Sequence, residues 1–529
     1  MATGSTSRPV RGRVVMLVDN GVHGDSRVQK TARSAAEAGW EVVLLGIAGK
    51  AGPQTWSIGD AEVRLIKVPR PLGQHPTQFH RSLRRPLAYP AGRHSGYRVQ
   101  LMKARQADVA ERRLALAAAG GLRARLGQGL LVAPQLTAKV LGRWAKFRAG
   151  ELHRLRKHQQ NPDALLTRLP VRFWQRTMGA RSWRRLDPGL WDYELAFGPV
   201  IDALRPDLIH ANDFRMIGVG VRAAARAHAK GQPTKLVWDA HEFVAGVLGR
   251  ADNPRWLPAQ IAHVEEYVRH ADAVVTVSAT LAELLQQTHR LPTRPEVVLN
   301  APTGRPEPGA DDTPAPDLRT ACGVGPDTPV LVYCGGVNPS RGVDTMIDAL
   351  PQLPGVHVAL VTLHPSGNNA ASEALLARAG EIGVADRVHL LPYVAHWQVS
   401  AFLATADAGV IPIHHKPNHE LALITKFLEY SHARLPIVVS DVRTMADTVR
   451  STGQGEVFRA EDVSDYVRAV GKVLADPERY RAAYDRPGLL TGWTWEAQAE
   501  VLEAVYRRLR PDLTPAEAPD RVTVAVATG

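Results

Sequence analysis

Short apolar runs alternate with amphipathic stretches along most of this chain. The segment RVVMLVDNGVHGDSRVQKTARSAAEAGWEVVLLGIA (13–48) reads strand, glycine-containing loop, helix, strand. Its runs VVMLV and VVLLGI are apolar without alternation, as expected of strands that helices cover on both faces of a parallel sheet. The rhythm resumes at DLIHAND (207–213), KLVWDAHE (235–242) and ADAVVTVSA (271–279), with helices between. Strand and helix alternating in this way predict a doubly wound α/β domain. The passage NAPTGRPEPGADDTPAPDL (300–318) then breaks all periodicity and has the composition of a linker. Beyond it the grammar restarts with PVLVYCGG, a helix near SRGVDTMIDALPQL, VHVALVTL, a helix over 371–382, RVHLLPYV, a helix near 396–406, AGVIPI, a helix at 424–433 and LPIVVSD. The expected architecture is two Rossmann-like domains, 12–300 and 320–490, joined by a proline-rich linker at 301–319. A last helical segment, 491–511, and a disordered tail, 512–529, complete the chain. Ligands of open α/β sheets bind outside the carboxyl ends of the strands, so the cleft between the two sheets is the place to look for a site.

One stretch of the N-terminal domain, roughly 75–185, departs from this pattern. Its clearest helix, LTAKVLGRWAKFRAGELHRLRK, places Leu136, Val140, Trp144, Phe147 and Leu155 within a stripe of about 100° at 3.6 residues per turn. Lys139, Arg143, Lys146 and Arg154 lie on or beside its margin. Two readings compete: a helical cap whose apolar stripe docks on the N-terminal domain, and a basic amphipathic surface that meets anionic phospholipid headgroups. Nucleic acid is not expected, because no recognisable binding module is present.

Charge sharpens that picture. The chain carries +13 overall, yet Arg81–Arg185 holds 24 Lys/Arg against four acids, so the remainder is net acidic. An anionic partner, if there is one, is expected at residues 81–185 only. The 529 residues, 45% hydrophobic and 22% charged, suit a folded protein of two large domains. Two cysteines without metal-ligand spacing point to a reducing cytoplasm. The opening MATGSTSRPVRGR is followed by an apolar run too short for a signal-peptide core, and no run of about 18 apolar residues suggests a membrane span.

Few residue patterns carry chemistry. GVGVRA (218–223) matches a dinucleotide fingerprint but falls inside a helical stretch, where its glycines cannot make a phosphate turn. The histidines lack partner sets with ligand spacing, so no metal is expected. In DNGVHGDSRVQK, Gly21 and Gly24 precede a helix capped by Asp25 or Ser26, so free N–H groups there can face an anion. In YCGGVNPSRG, Gly335 and Gly336 follow a strand directly and Arg341 stands at the mouth of the next helix, a combination suited to a diphosphate. Lys426 and Glu429 are neighbours at i, i+3 on a helix that starts at the carboxyl end of a strand. There a carboxylate can accept two hydrogen bonds from the vicinal diol of a ribose while the ammonium meets phosphate.

Taken together, DSRVQKTARSAAEAGWEV, RPDLIHAND, KLVWDAHE, ADAVVTVSATLAELL, VVLNAP, YCGGVNPSRG, ITKFLEYSHARLPIVVSD and WTWEAQAEVLEAVYRRL resemble the family-4 retaining glycosyltransferases of the GT-B fold. The likeness covers about 13–70 and 190–510 and leaves out the basic insert. It implies that the C-terminal domain binds a nucleotide-diphosphate sugar and the N-terminal domain the acceptor, a glycan or lipid-linked molecule. By matching position, Glu429 looks like the ribose-binding glutamate of the family's E-x7-E motif, and Arg341 like the residue that holds the diphosphate. His241 resembles the histidine that reaches the donor sugar, and Gly21, with Asp25 and Arg27, the acceptor-side loop. Base recognition is expected at backbone groups near Tyr393 and Val394. The helix around Trp495 is expected to cross back over the N-terminal domain.

Two positions depart from the family pattern. The first glutamate of E-x7-E falls at Leu421, with Glu420 one residue early, and the first cation of the glycine loop falls at Gly336. Because one residue turns a helix by about 100°, Glu420 can replace the missing glutamate only from the loop ahead of the helix. The resemblance implies transfer with retained configuration, without a metal or other cofactor. The leaving diphosphate would be stabilised by Arg341 and Lys426. A cytoplasmic protein is expected, and peripheral attachment to the inner membrane face through the basic insert stays open. Two rivals stay open, a nucleotide-sugar epimerase of the same fold and a catalytically silent scaffold that binds membrane or partner.

Overall fold

The computed structural model describes residues 11–72, 86–89, 94–119, 121–160, 165–250, 253–303, 314–362 and 370–513. The expected tail beyond 513, and 304–313 of the expected linker, lie outside the described residues. Strands β1 (Arg13–Leu17), β2 (Glu41–Ile47), β3 (Gln54–Ile58), β4 (Ala61–Ile66), β5 (Leu208–Asn212), β6 (Lys235–Ala240), β7 (Ala273–Thr276) and β8 (Glu296–Val297) form one sheet. Its order is β3-β4-β2-β1-β5-β6-β7-β8, parallel except for the β3–β4 hairpin. A second sheet contains β9 (Val330–Cys334), β10 (His357–Val361), β11 (Val388–Leu391), β12 (Ala408–Ile411), β13 (Ile437–Ser440) and β14 (Gly455–Phe458). Its order is β11-β10-β9-β12-β13-β14, parallel throughout.

The chain thus contains two Rossmann-like α/β sheets, each with its central strands buried on both faces. Met16, paired with Leu44 on one side and His210 on the other, is fully buried, as are Val332 and Val410 in the second sheet. Each sheet reverses its winding once, between β1 and β5 and between β9 and β12. The loops leaving these four strands therefore diverge and open the two crevices in which such folds bind ligands. The dinucleotide-like GVGVRA lies within the helix Asp213–Ala229. A Cβ on Gly220 would come within 2.7 Å of Leu236, so that glycine serves helix-on-sheet packing.

The helix Trp495–Leu509 ties the two sheets together. Trp495, Leu502, Val505 and Tyr506 are buried in one cluster with Val14, Val28 and Trp40 of the N-terminal sheet. Burial contributes roughly 2 kcal/mol for each such side chain. Its polar groups are matched as well: Trp495 Nε1 donates to Ser34 Oγ at 2.8 Å, Trp40 Nε1 to Glu503 Oε2 at 2.8 Å, and Tyr506 Oη lies 2.6 Å from His210 Nδ1.

One compact unit comprises 1–68, 193–247 and 264–529 and holds both sheets; the other comprises 69–192 and 248–263. The proline-rich passage falls between the last strand of the first sheet and the first strand of the second, and 248–263, read from sequence as part of the N-terminal domain, belongs with the insert.

In the second unit the helices His94–Ala119 and Val132–Gln160 pack antiparallel, with Gln106 Nε2 donating to the Ala138 carbonyl at 2.9 Å. The buried face of Val132–Gln160 is small: Ala138, Ala145 and Leu152. The stripe predicted from periodicity lies on the opposite side and is solvent-exposed, Leu136 by 57%, Val140 by 63%, and Trp144 and Phe147 by 45% each. Its fifth member, Leu155, lies outside the described side chains. Alanines allow two helix backbones to approach closely, so the smaller residues took the interface and the larger ones did not.

Arg27 and Asp239 form a buried ion pair behind the first sheet, their side chains 4% and 2% exposed. Arg27 Nε and Nη2 each donate to the Asp239 carboxylate at 3.0 Å, and Nη1 to the Val298 carbonyl at 2.7 Å. Replacing one member of such a pair leaves a buried charge uncompensated. Arg27→Leu is expected to lower unfolding free energy by about 3 kcal/mol in urea denaturation.

Candidate donor site and acceptor-side loops

The switch point of the second sheet is built around glycines that nothing larger can replace. Gly335, directly after β9, has φ +143°, and a Cβ there would lie 2.6 Å from Lys426 Nζ. Gly342 has φ +65°, and its Cβ would lie 1.9 Å from the Pro412 carbonyl of the loop after β12. Between them Asn338 caps the turn Pro339–Arg341, and His414 N donates to the Ser340 carbonyl at 3.1 Å. The two diverging loops are thereby bonded to each other across the crevice. Gly336 contributes its carbonyl, which accepts from Tyr333 Oη at 2.8 Å.

The helix Thr425–His432 enters this crevice in a fixed position, because Cys334 N donates to Tyr430 Oη at 2.8 Å. Lys426 Nζ rests 4.0 Å from the centroid of the Tyr333 ring. Burial, and then the neighbouring positive charge of Arg341, push the Lys426 ammonium down to about 7. Burial pushes the Glu429 carboxyl up, opposed by Lys426 and Lys30. Burial also raises the Tyr393 phenol, to about 12, with Cys334 and Glu429 adding to the effect. Gly335, Gly336, Arg341, Lys426, Glu429 and Tyr393 therefore occupy one neighbourhood, while Val394 packs against the core beside it.

Glu420 and Leu421 do not join them through their side chains. Both lie on the short helix Pro417–Leu421, not in a free loop. One Glu420 oxygen lies 2.6 Å from His415 Nδ1, and the other accepts from Arg443 N at 2.7 Å. That second bond caps the helix Arg443–Thr452, whose own N-cap residue, Val442, supplies none. Leu421 is buried, and its carbonyl accepts from Ser278 Oγ of the N-terminal sheet.

At the first sheet's switch point, Arg215 pairs with Asp19 across the diverging loops, and Asn212 Nδ2 donates to the Leu17 carbonyl at 3.0 Å. Gly21 lies in the loop after β1, with no group closer to its notional Cβ than 3.7 Å. Asp25 caps the helix Ser26–Glu37 and accepts from Asn20 Nδ2 at 2.8 Å. Arg27, read from sequence with this loop, instead faces inward to Asp239. A helix's second residue turns away from its cap, and the buried carboxylate sits below.

His241 stands between two carboxylates, with Nδ1 3.2 Å from Asp213 and Nε2 3.3 Å from Asp239. Burial alone would lower its pKa; Asp239 and Asp213 outweigh burial and raise it to about 10. The ring is thus an imidazolium at neutral pH, a donor and not a base. Both ring nitrogens thus face carboxylates, and Nε2 is buried. Asp213 holds a left-handed φ of +66°, a strain that commonly persists where a site demands it. Neither Asp213 nor Asp239 was singled out from sequence, although both stand beside strand ends in HAND and WDAHE.

The two sheets' loops meet across the cleft: Phe243 N donates to Asn418 Oδ1 at 3.0 Å, and Thr444 Oγ1 to Thr280 Oγ1 at 3.0 Å. A cavity of about 220 Å³ lies between them, lined by Gln29 and Lys30 on one side and by His396, Thr425 and Glu429 on the other. Lys30, which sequence reading passed over within DSRVQK, donates to Asn300 Oδ1 at 3.0 Å and lies 4.7 Å over the Trp495 ring. Burial, then Arg27, push its ammonium down to about 7 despite the opposing pull of Glu429.

Two parallel Rossmann-like sheets with facing switch-point loops, strapped by a returning C-terminal helix, define the GT-B class of fold. A family model described as glycosyl transferases group 1 matches residues 328–476, and one described as glycosyltransferase family 4 matches 142–301, together more than half of the chain. The chain belongs to the family-4 glycosyltransferases of the GT-B fold. It is 26% identical to a D-inositol 3-phosphate glycosyltransferase of Mycobacterium marinum over 58% of its own length, and 29% identical to one of Thermobispora bispora over 49%. The matches span just under two thirds of those relatives, 65% and 63%. A glycogen synthase of Mycobacterium tuberculosis is 28% identical over 57% of this chain and 69% of its own. Among solved structures, sucrose-phosphate synthase from Thermosynechococcus elongatus superimposes with a TM-score of 0.59 at 14% identity, covering 95% of this chain and all of its own. Anabaena HepE in complex with UDP and glucose gives 0.55 at 12%, covering 94% of this chain and all of its own.

Two outcomes follow from the geometry. Glu420→Ala removes a helix cap and is expected to cost about 1 kcal/mol in thermal or urea unfolding, with UDP and GDP affinity unchanged. A diphosphate bound beside Lys426 would favour its ammonium and lift its pKa from about 7. Diphosphate affinity is therefore expected to be greatest below about pH 7 and to fall as pH rises from there through the lifted pKa. Calorimetry in buffers of different ionisation heat is expected to show proton uptake above pH 7, and Lys426→Arg is expected to remove most of it.

Proposed function

We propose that this protein transfers a sugar from a nucleotide-diphosphate sugar to a glycan or lipid-linked acceptor, with retention of anomeric configuration and without a metal. The observation that carries the reading is the cluster at the β9–β12 switch point. It contains two neighbouring cations, one of them destabilised by burial, beside a glycine turn, with a half-buried carboxylate one helical turn beyond. Such a cluster suits a diphosphate between Arg341 and Lys426 and a ribose diol on Glu429. The protein's structural neighbours include HepE in complex with UDP and glucose and the Escherichia coli trehalose-6-phosphate protein bound with UDP-2-fluoro glucose.

In this scheme the bond between the anomeric carbon and the β-phosphate oxygen breaks as the acceptor oxygen bonds to that carbon on the same face. The acceptor's proton passes to a phosphate oxygen of the leaving diphosphate. Arg341 and Lys426 stabilise the charge that develops there, a preorganised electrostatic role. His241, an imidazolium held between Asp213 and Asp239, places its positive ring beside the donor sugar. Gly21 leaves room on the acceptor side, and backbone groups at Tyr393 and Val394 receive the base.

The commitment of Glu420 to His415 and Arg443 N, with Leu421 buried, favours a second reading. In that reading the donor site has lost its first carboxylate, and the protein is a silent scaffold. A panel of UDP-, GDP- and ADP-sugars separates the two. Thermal stabilisation by one donor, followed by product on adding oligosaccharide or polyprenyl-phosphate acceptors, supports transfer; product without acceptor would indicate an epimerase. Arg341→Ala and Glu429→Ala are each expected to lower kcat/KM by about 10²–10³. Absence of stabilisation by any donor would leave the scaffold.

A further inference from the structure

We propose that the exposed face formed by Gly121–Leu130 and Val132–Gln160 is a docking surface for an anionic phospholipid bilayer. Of the seventeen large apolar side chains exposed among the described residues, eleven lie between Leu122 and Phe173. Leu122, Leu126 and Leu130 recur every fourth residue of the first helix and are 76%, 65% and 79% exposed. The half-exposed Trp144 and Phe147 rings stack at 5.6 Å on the second. Side chains of this size are ordinarily turned inward, and here the inward positions are held by alanines.

Charge selects the partner. From Arg112 through Gly150 the chain has eight cations and no acid. Lys139, Arg143 and Lys146 are exposed on the margin of the apolar stripe. Protruding leucines flanked by cations, with a tryptophan and a phenylalanine among them, fit a helix that lies in the headgroup layer. Each cation near an anionic leaflet is worth about 1 kcal/mol there. RNA would use the cations and aromatic rings but has no use for exposed leucines. A second copy of this face would bring like charges together. Among the described residues no helix is long and apolar enough to cross a membrane, so the surface lies on the bilayer and does not span it.

This inference rests on exposure and charge and is independent of the transfer reaction proposed above. The full chain is sedimented with vesicles of phosphatidylcholine alone and of phosphatidylcholine with phosphatidylglycerol, at low and high salt. Binding is expected only to the mixed vesicles and is expected to weaken with salt. Lys139→Gln/Arg143→Gln/Lys146→Gln is expected to lower the partition coefficient about fivefold per cation, about a hundredfold in all. Trp144→Ser/Phe147→Ser is expected to weaken binding at both salt concentrations. All these side chains are exposed, and an unchanged thermal midpoint confirms that each variant folds. Equal binding to both vesicles, or mixed-vesicle binding untouched by both variants, would overturn the proposal. So would self-association that Trp144→Ser/Phe147→Ser abolishes without vesicle binding, or retention of a folded RNA in preference to mixed vesicles.

Discussion

A cation that burial and the neighbouring Arg341 guanidinium disfavour, Lys426, is the constraint around which the C-terminal half is organised. A buried ammonium beside a guanidinium is unfavourable unless an anion joins them. The protein's own anion there, Glu429, is itself half-buried and pushed toward its neutral form, so it balances the pair incompletely. The sheet topology makes the arrangement feasible. The loops after β9 and β12 part at the switch point, Gly335 and Gly342 let backbone and side chain approach without a Cβ, and Tyr430 pins the Lys426 helix to the end of β9. A diphosphate would convert this destabilised cluster into a satisfied one. That is why the cluster, and not any single residue, carries the functional reading.

The N-terminal sheet answers with the opposite economy of charge. Its carboxylates outnumber the group they surround: Asp213 and Asp239 hold His241 protonated, and Asp239 is balanced from behind by Arg27. The result is a fixed imidazolium, oriented by a network that reaches from the helix after β1 to the end of β6. Lys30 lies on that same helix and lines a cavity with Glu429. The two halves are therefore coupled electrostatically as well as through the strap Trp495–Leu509.

The alternation of continuous apolar runs with helices made both sheets legible, because parallel strands buried on two faces have no other pattern. The glycine turn, Arg341, Lys426 and Glu429 were legible for a related reason: residues just past a strand end must lie at the sheet's carboxyl edge. Directions were harder. The 3.6-residue period located an apolar stripe at Leu136–Phe147 but not which face would be buried, and Ala138 and Ala145 decided that. Arg27 could not be placed from sequence because its partner, Asp239, is 212 residues away. Glu420 looked like a displaced sugar ligand until the start of a helix 23 residues on claimed its carboxylate. In each case a long-range pairing, invisible in local pattern, determined where the side chain points.

A crystal structure of the full chain with whichever of UDP and GDP binds more tightly tests the central claim most directly. The diphosphate is expected between Arg341 and Lys426, against the Gly335–Gly336 turn, with the ribose diol on Glu429. A nucleotide bound elsewhere, for example against the loop at Gly21, or one that leaves Lys426 and Glu429 untouched, would contradict it.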